Sequence, residues 1–192
     1  ILGSLFLLVR KEINARVNLS FIETNAYISL TRLKLVSITV AGLVTGVAFI
    51  NYIYIREIWV STGELPIVYR YIDWLITMPL LTLEFYFVLS ALRKVDSGIF
   101  WRLLFGSLIM LFGGYLGEAG HLPAMVGFII LMAAWIFILY EVFSGDAGKI
   151  AARSGNKPFV TAFGSMRLII TIGWAIYPLG YVFEIFTGGV DN

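Results

Sequence analysis

One apolar stretch of the chain carries ionisable residues where a membrane-spanning helix normally carries none. Residues 70–86 read RYIDWLITMPLLTLEFY and include Arg70, Asp73, Thr77 and Glu84. Because a helix turns by about 100° per residue, separations of three, four and eleven residues place these side chains near one stripe. Asp73 and Glu84 then lie about 16 Å apart along the helix axis, at about 1.5 Å per residue. Two acids at different depths of a membrane are typical of a proton relay.

Each of these charged residues has a functional and a structural interpretation. An ionisable group inside a span costs about 3 kcal/mol on insertion scales, so it is expected to be paired or functional. Asp73 is interpreted as the counter-ion of a buried cation, with Arg70 as its electrostatic partner one turn outward; the alternative is a purely structural Arg70–Asp73 ion pair. Glu84 lies among Leu, Phe and Tyr residues, where burial favours a neutral, proton-storing carboxyl. The alternative is that Glu84 extends to the membrane surface.

The composition is that of a polytopic membrane protein. The 192 residues are 59% hydrophobic and only 14% charged, whereas about a quarter of the residues of a soluble domain are charged. The chain has no cysteine and a single histidine, so we expect no disulfide, no thiol chemistry and no metal site. Nothing in the chain points to an enzyme or to binding of nucleic acid, and its expected partner is membrane lipid.

The hydrophobic pattern predicts an all-α protein with a single transmembrane domain. Residues 1–10 are too short to span and are interpreted as the end of a first helix, and residues 11–32 as a polar surface connection on the cytoplasmic side. The following spans are predicted at residues 33–56, 67–92, 100–117, 123–143 and 159–186, with a polar loop at 144–158. Gly113 and Gly117 have the spacing that favours close helix packing, and with Glu118 they are also candidates for contacts between subunits of a homo-oligomer.

The basic residues indicate the orientation. If the helices alternate in direction, all of the 14 Lys and Arg residues except Arg56 and Arg70 lie in or beside connections on one side. Basic residues accumulate on the cytoplasmic side of membrane proteins. We therefore expect a multi-pass protein of the cell inner membrane, with Arg70 and Asp73 toward the outside and Glu84 toward the cytoplasm.

Aromatic residues recur in several spans and are open to two interpretations. Trp74, Trp135, Trp174, Tyr177 and Tyr181 could surround a flat ligand. Aromatic side chains in membrane helices more often pack against neighbours or mark the membrane interface. Spacing alone favours the second interpretation.

Four motifs in order resemble the microbial rhodopsins, and the proteorhodopsins in particular. The stretch RYIDWLITMPLLTLEFY resembles their third helix, and GWAIYPLGY (residues 173–181) their sixth. GYLGEAG (residues 114–120) resembles the end of the fourth helix and AGLVTGVAF (residues 41–49) the second. The similarity covers roughly residues 33–186.

This resemblance implies a fold, a cofactor and a function. It implies a seven-transmembrane-helix rhodopsin bundle around all-trans retinal, held as a protonated Schiff base on a lysine of the seventh helix, and a light-driven outward proton pump. Asp73 would be the proton acceptor, Thr77 its hydrogen-bonding neighbour, Glu84 the proton donor and Arg70 the outward gate. Leu81 occupies the family's colour-tuning position, where leucine accompanies green absorption. The residues that would line the retinal are Trp74, Met78, Leu81, Met110, Gly114, Trp135, Trp174, Tyr177, Pro178 and Tyr181.

Two departures from the family pattern stand out. Where the family usually has a histidine that pairs with the counter-ion, this chain has Asn51. All five lysines (Lys11, Lys34, Lys94, Lys149 and Lys157) flank spans or lie in loops, so none is expected to reach a ligand at mid-membrane. We therefore expect these residues to be part of a longer protein, with the first helix cut short and the seventh helix, with its lysine, missing.

Two other functions remain open at this stage. The first keeps the fold and is a photosensor that signals to a partner, although sensors commonly lack a carboxylic proton donor such as Glu84. The second is a proton-coupled or structural membrane bundle without retinal.

Overall fold

The computed structural model of this chain describes residues 31, 35, 38–63 and 66–186, and all regular structure in those residues is helical. The first helix, α1, runs over Ile38–Thr62. The others are α2 (Ile67–Leu92), α3 (Ser97–Glu118), α4 (Ala124–Phe143), α5 (Asp146–Ala152), α6 (Lys157–Leu168) and α7 (Trp174–Phe186), with a π-helical segment at Ile169–Gly173 joining α6 to α7. Five stretches are long and apolar enough to cross a membrane: Ile38–Thr62, Ile67–Ser90, Ser97–Glu118, Ala124–Ala152 and Phe159–Gly180. The predicted all-α membrane class is confirmed.

The helices expose apolar side chains outward and pack others inward. Phe49, Ile172 and Phe183 are each more than 60% exposed, as expected for side chains that face lipid. The core lies between α2, α3, α4 and α6, where Phe85, Leu89 and other fully buried side chains meet. The inner face of α2 therefore forms the central wall of the bundle.

Glycines allow α3 and α4 to approach closely. A Cβ atom on Gly127 would lie 2.5 Å from the Gly117 Cα and 2.8 Å from the Gly113 carbonyl oxygen. Small residues at such crossings let backbones approach and gain van der Waals contact, which is a main source of helix association in lipid. The predicted close packing of Gly113 and Gly117 is thus made within the chain, against α4.

Residues 144–158 were predicted to be a polar loop, but they contain the short helix α5. The buried acid Glu141 holds this helix in place. The Glu141 carboxylate accepts hydrogen bonds from Arg102 Nε (3.1 Å) and Nη2 (3.2 Å), and from the Ala147 backbone N–H (3.2 Å). Arg102 Nη2 also donates to Asp146 Oδ2 (2.7 Å). These bonds hold α5 against the ends of α3 and α4, and the sequence pattern did not reveal them because the partners are 39 to 44 residues apart.

Helix ends differ from the predicted ones where polar caps extend the helix. The side chain of Asp96 accepts from the Gly98 N–H, so α3 begins at Ser97 and not at residue 100. The Asn156 side chain accepts from the Phe159 N–H, so α6 begins at Lys157. Such caps satisfy backbone donors that the first turn leaves free. The span predicted at residues 33–56 also differs, because α1 continues to Thr62 and not to residue 56. The predicted partial helix 1–10 and, apart from Thr31, the predicted connection 11–32 lie outside the described residues.

The Gly127 crossing gives a direct test of this packing. We expect Gly127→Ala to destabilise the folded bundle by about 1–3 kcal/mol, because the new methyl group would overlap the backbone of α3. The measurement is the midpoint of thermal unfolding of the protein in detergent, followed by circular dichroism. Gly164→Ala in α6 is the matched control, since nothing lies within 4 Å of its Cβ position; it should be neutral or stabilising by up to about 1 kcal/mol. Equal melting points for the two variants would contradict the crossing.

Candidate functional site

Helix α2 places Asp73 and Thr77 inside the bundle. Asp73 is 2% exposed and Thr77 is 5% exposed, whereas Glu84 is half-buried further along the same helix. The Thr77 hydroxyl donates to the backbone carbonyl of Asp73 at 3.0 Å. This local bond differs from the predicted one, because it leaves the Asp73 carboxyl without Thr77 as a donor.

The carboxyl of Asp73 is only partly satisfied. Asn51 of α1 lies within hydrogen-bonding reach of it. The Oδ1 atom is buried and has no hydrogen-bond partner among the described residues. A buried carboxylate oxygen without a donor is costly, and a nearby cation, a hydrogen-bond donor or protonation of the carboxyl would each lower this cost.

Arg70 does not form the ion pair with Asp73 that the structural alternative assumed. Its Nη2 atom donates instead to Glu118 Oε1 at the end of α3, and the Tyr71 hydroxyl donates to Glu118 Oε2 at 2.8 Å. The guanidinium carbon lies 5.2 Å from the Trp74 ring centroid, a cation–π distance. Although residues 70 and 73 share a helix face, the long Arg70 side chain reaches the neighbouring helix.

Seven of the ten predicted ligand-lining residues meet in one apolar slot between α2, α3, α4 and α7. The slot has a volume of about 40 Å³ and opens beside a cleft of about 310 Å³ with which it shares five wall residues. Its predicted members are Trp74, Met78, Met110, Trp135, Trp174, Tyr177 and Pro178, and Tyr71, Leu111 and Leu131 complete it. Gly114 lines the adjoining cleft.

Ring contacts fix the walls of the slot. The Trp74 and Tyr177 rings meet edge to face at 4.9 Å. The Trp135 indole N–H donates to the Ile170 carbonyl oxygen at 3.0 Å, inside the π-helical segment. Buried indoles usually find such a partner, and the bond holds the ring at a fixed angle. These contacts thus fix the rings that line the slot.

Gly114 keeps the cleft open. A Cβ atom at this position would lie 2.8 Å from Leu131 Cδ1 and 2.9 Å from the Tyr71 hydroxyl. Any larger residue would have to displace these two side chains.

The remaining predicted residues lie elsewhere. Leu81 is half-buried and packs against the core, but it does not line the slot or the cleft. Tyr181 belongs to α7, and its side chain lies outside what the structure describes. The described residues contain no cluster of His, Cys, Asp and Glu that could hold a metal ion.

Sequence reasoning missed the partners that complete the site. The sequence predicts Glu118 only as a candidate subunit contact and gives no role to Tyr71 or Tyr52. Tyr52 of α1 lies within hydrogen-bonding reach of the Tyr177 side chain, and Asp73 and Arg70 both act electrostatically on Tyr177. The one available signal was an acid, Glu118, at the end of an otherwise uncharged part of a span.

Comparisons with known proteins agree on one family. A family model described as "Bacteriorhodopsin-like protein" matches residues 15–191. Over 153 residues the chain is 47% identical to the blue-light absorbing proteorhodopsin of Gamma-proteobacterium Hot 75m4. This match covers 80% of this chain and 61% of that protein. Over 152 residues it is 49% identical to the green-light absorbing proteorhodopsin of Gamma-proteobacterium EBAC31A08, which covers 79% and 59%.

A solved structure is also similar. The crystal structure of a blue light-absorbing proteorhodopsin from Med12 aligns with a TM-score of 0.62 at 42% sequence identity, covering 84% of this chain and 78% of that one. The chain spans less than two thirds of the length of the two curated proteorhodopsins above.

The Arg70–Glu118 contact can be tested by a double-mutant cycle. We expect Arg70→Gln and Glu118→Gln to show a coupling free energy of about 1 kcal/mol, because both side chains are partly exposed and solvent screens the pair. Thermal unfolding of the four proteins gives this coupling. A cycle of Glu118→Gln with Arg56→Gln on α1 is the control and should be additive. Additivity of the Arg70 cycle would contradict the contact.

Proposed function

The chain belongs to the bacteriorhodopsin-like family, and from this premise we propose that the protein is a light-driven outward proton pump that uses all-trans retinal. The observation that carries the proposal is the buried Asp73 carboxyl, with its unpaired Oδ1, close to Tyr177 in the wall of an aromatic slot. A buried acid of this kind can balance a cation held in the slot. The names of the similar proteorhodopsins support this choice.

The residues present fit retinal. The slot is narrow and is walled by three tryptophans, two methionines and Pro178, side chains that suit a flat, apolar polyene. With about 40 Å³ of its own it holds only part of such a ligand, and the adjoining cleft of about 310 Å³ supplies the rest of the space, since sites of this kind hold about 300 Å³ or more. Gly114 leaves room beside the slot, since a Cβ atom there would lie 2.8 Å from Leu131 Cδ1 and 2.9 Å from the Tyr71 hydroxyl. When bound to a lysine as a protonated Schiff base, retinal supplies the light-absorbing group and the proton to be moved.

The lysine is expected outside these 192 residues. Lys94, Lys149 and Lys157 are exposed at or near helix ends and line neither the slot nor the cleft. Lys11 and Lys34 lie outside the described residues. We therefore place the lysine on a seventh helix of the complete protein.

The proposed roles follow from depth and surroundings. Asp73 Oδ1 accepts the proton, because it is buried and lacks a donor. The Arg70–Glu118–Tyr71 group lies about one turn outward along α2 and lines the open cleft, so it can pass the proton to the outside. Glu84, three turns further along α2 on the other side of Asp73, holds the proton that restores the resting state. Two acids on opposite sides of one cation give the transport a direction.

The location and the assembly are also proposals. We place the protein in the cell inner membrane with its basic end in the cytoplasm, because basic residues collect at that end. We also propose that it forms a homo-oligomer.

Pigment formation and pumping test the function together. We expect all-trans retinal, added to membranes with the complete protein, to produce a visible absorption band, and illuminated vesicles to show outward proton transport. Asp73→Asn should abolish transport because the acceptor is lost. Glu84→Gln should leave the early photocycle intact and slow the reprotonation step by about 10²-fold.

Glu57→Gln is the matched control for both variants. Glu57 is an exposed acid on α1, so its loss should leave transport unchanged. Pumping by Asp73→Asn at the parent's rate would refute the assigned acceptor. A pigment with a slow photocycle and no transport would indicate a photosensor, and a colourless protein a bundle without retinal.

Leu81 gives a separate test of the colour assignment. The resemblance implies green absorption with leucine at this position and blue absorption with glutamine. We expect Leu81→Gln to move the visible band to shorter wavelength, as measured by absorption spectroscopy of the pigment. Leu104→Gln, at another half-buried position that packs on the core without lining the slot, should leave the band in place. No difference between the two variants would contradict the assignment.

A further inference from the structure

A second cavity lies at the basic end of the bundle, away from the slot. Its volume is about 210 Å³, and it lies between the end of α2, the end of α5 and the start of α6. Leu89 and Phe159 form part of its apolar wall, and Arg93, Arg153, Ser154 and Asn156 supply its polar groups. It is therefore a half-polar pocket at the point where apolar spans end.

The charge of this pocket is one-sided. Arg93 follows directly on α2 and Arg153 on α5. No carboxylate lines the cavity, and within the described part of the chain neither arginine has an acidic side chain within ion-pair distance. Arg102 differs, because it is neutralised by Glu141 and Asp146. Two guanidinium groups thus face one cavity without a counter-charge.

Ser154 and Asn156, the uncharged polar residues of the lining, can donate hydrogen bonds. Asn156 Oδ1 accepts from the Phe159 N–H at 3.1 Å, so the amide NH₂ is the group of this side chain that can donate to a ligand. The Ser154 Oγ accepts from the Asn156 N–H at 3.4 Å, so its own proton can be donated elsewhere. The first turn of α6 adds partial positive charge at the same place.

We propose that this pocket binds a phosphate group, either the headgroup of an anionic phospholipid or inorganic phosphate. Guanidinium groups bind phosphate oxygens through paired, charge-assisted hydrogen bonds, and anionic headgroups occupy the surface at which basic span ends lie. The hydroxyl and amide donors can bind the remaining oxygens. This site is independent of retinal and of proton transport.

The experiment uses the complete protein in nanodiscs of phosphatidylcholine with phosphatidylglycerol, and native mass spectrometry counts the lipids retained after gentle release. We expect the parent to retain phosphatidylglycerol in preference to phosphatidylcholine. Arg93→Gln and Arg153→Gln should each weaken this retention about tenfold, because each removes a charge-assisted contact. Titration with inorganic phosphate in uncharged detergent, followed by calorimetry, is the second arm.

Lys94→Gln is the matched control. The substitution removes the same charge at the residue next to Arg93, but Lys94 does not line the cavity. The retention of phosphatidylglycerol by this variant should therefore stay within twofold of the parent. Circular dichroism verifies that each variant keeps its helicity. Retention of phosphatidylglycerol with no phosphate binding identifies a lipid site, and saturable phosphate binding lost in both arginine variants identifies a free-anion site. Equal losses in all three variants, or none in either arm, would overturn the proposal.

Discussion

Every polar group in a membrane span must find its partner inside the protein, because the hydrocarbon core offers no water. This constraint applies most strongly to Asp73, an acid with 2% of its surface exposed and one oxygen unpaired. The nearby polar groups are arranged around it: Asn51 comes from α1, and Tyr177 of α7 lies near both Asp73 and Tyr52. Arg70 is turned toward Glu118 and leaves the carboxyl available for another cation.

The same constraint accounts for the opposite end of the bundle. Glu141 is 3% exposed, and it is tolerated because Arg102 and the Ala147 N–H supply donors. Removal of one partner of a buried ion pair usually lowers the stability of the fold by more than the pair contributes, since the remaining charge is left without a partner. The two charged clusters therefore tie α3 to different neighbours at its two ends. At one end Glu118 binds α2, and at the other Arg102 binds α4 and α5.

The features that depend on the pattern along a single helix could be predicted from the sequence. The contacts that depend on a second helix could not. Residues 67–92 were predicted as a helix with the bounds that α2 has, because apolar spans and their basic ends are local patterns. Seven slot residues could be named because the chain resembles a known family over most of its length, and five of the seven lie in the motifs at residues 70–86 and 173–181. The partner of Arg70 could not be predicted, since Glu118 is 48 residues away and the helix face shared with Asp73 indicated a nearer acid. The helix α5 was missed for the same reason, as its anchor is a contact across the fold.

The π-helical segment Ile169–Gly173 changes which face of the last span each residue occupies. A π-helical turn holds about one residue more than an α-helical turn, so the two sides of the segment are out of phase. A helical wheel drawn through residues 157–186 as one cylinder would assign faces wrongly on one side, by roughly 100°. Alignments that shift by a single position between Arg167 and Trp174 would therefore compare side chains that point in different directions, even where every flanking residue matches.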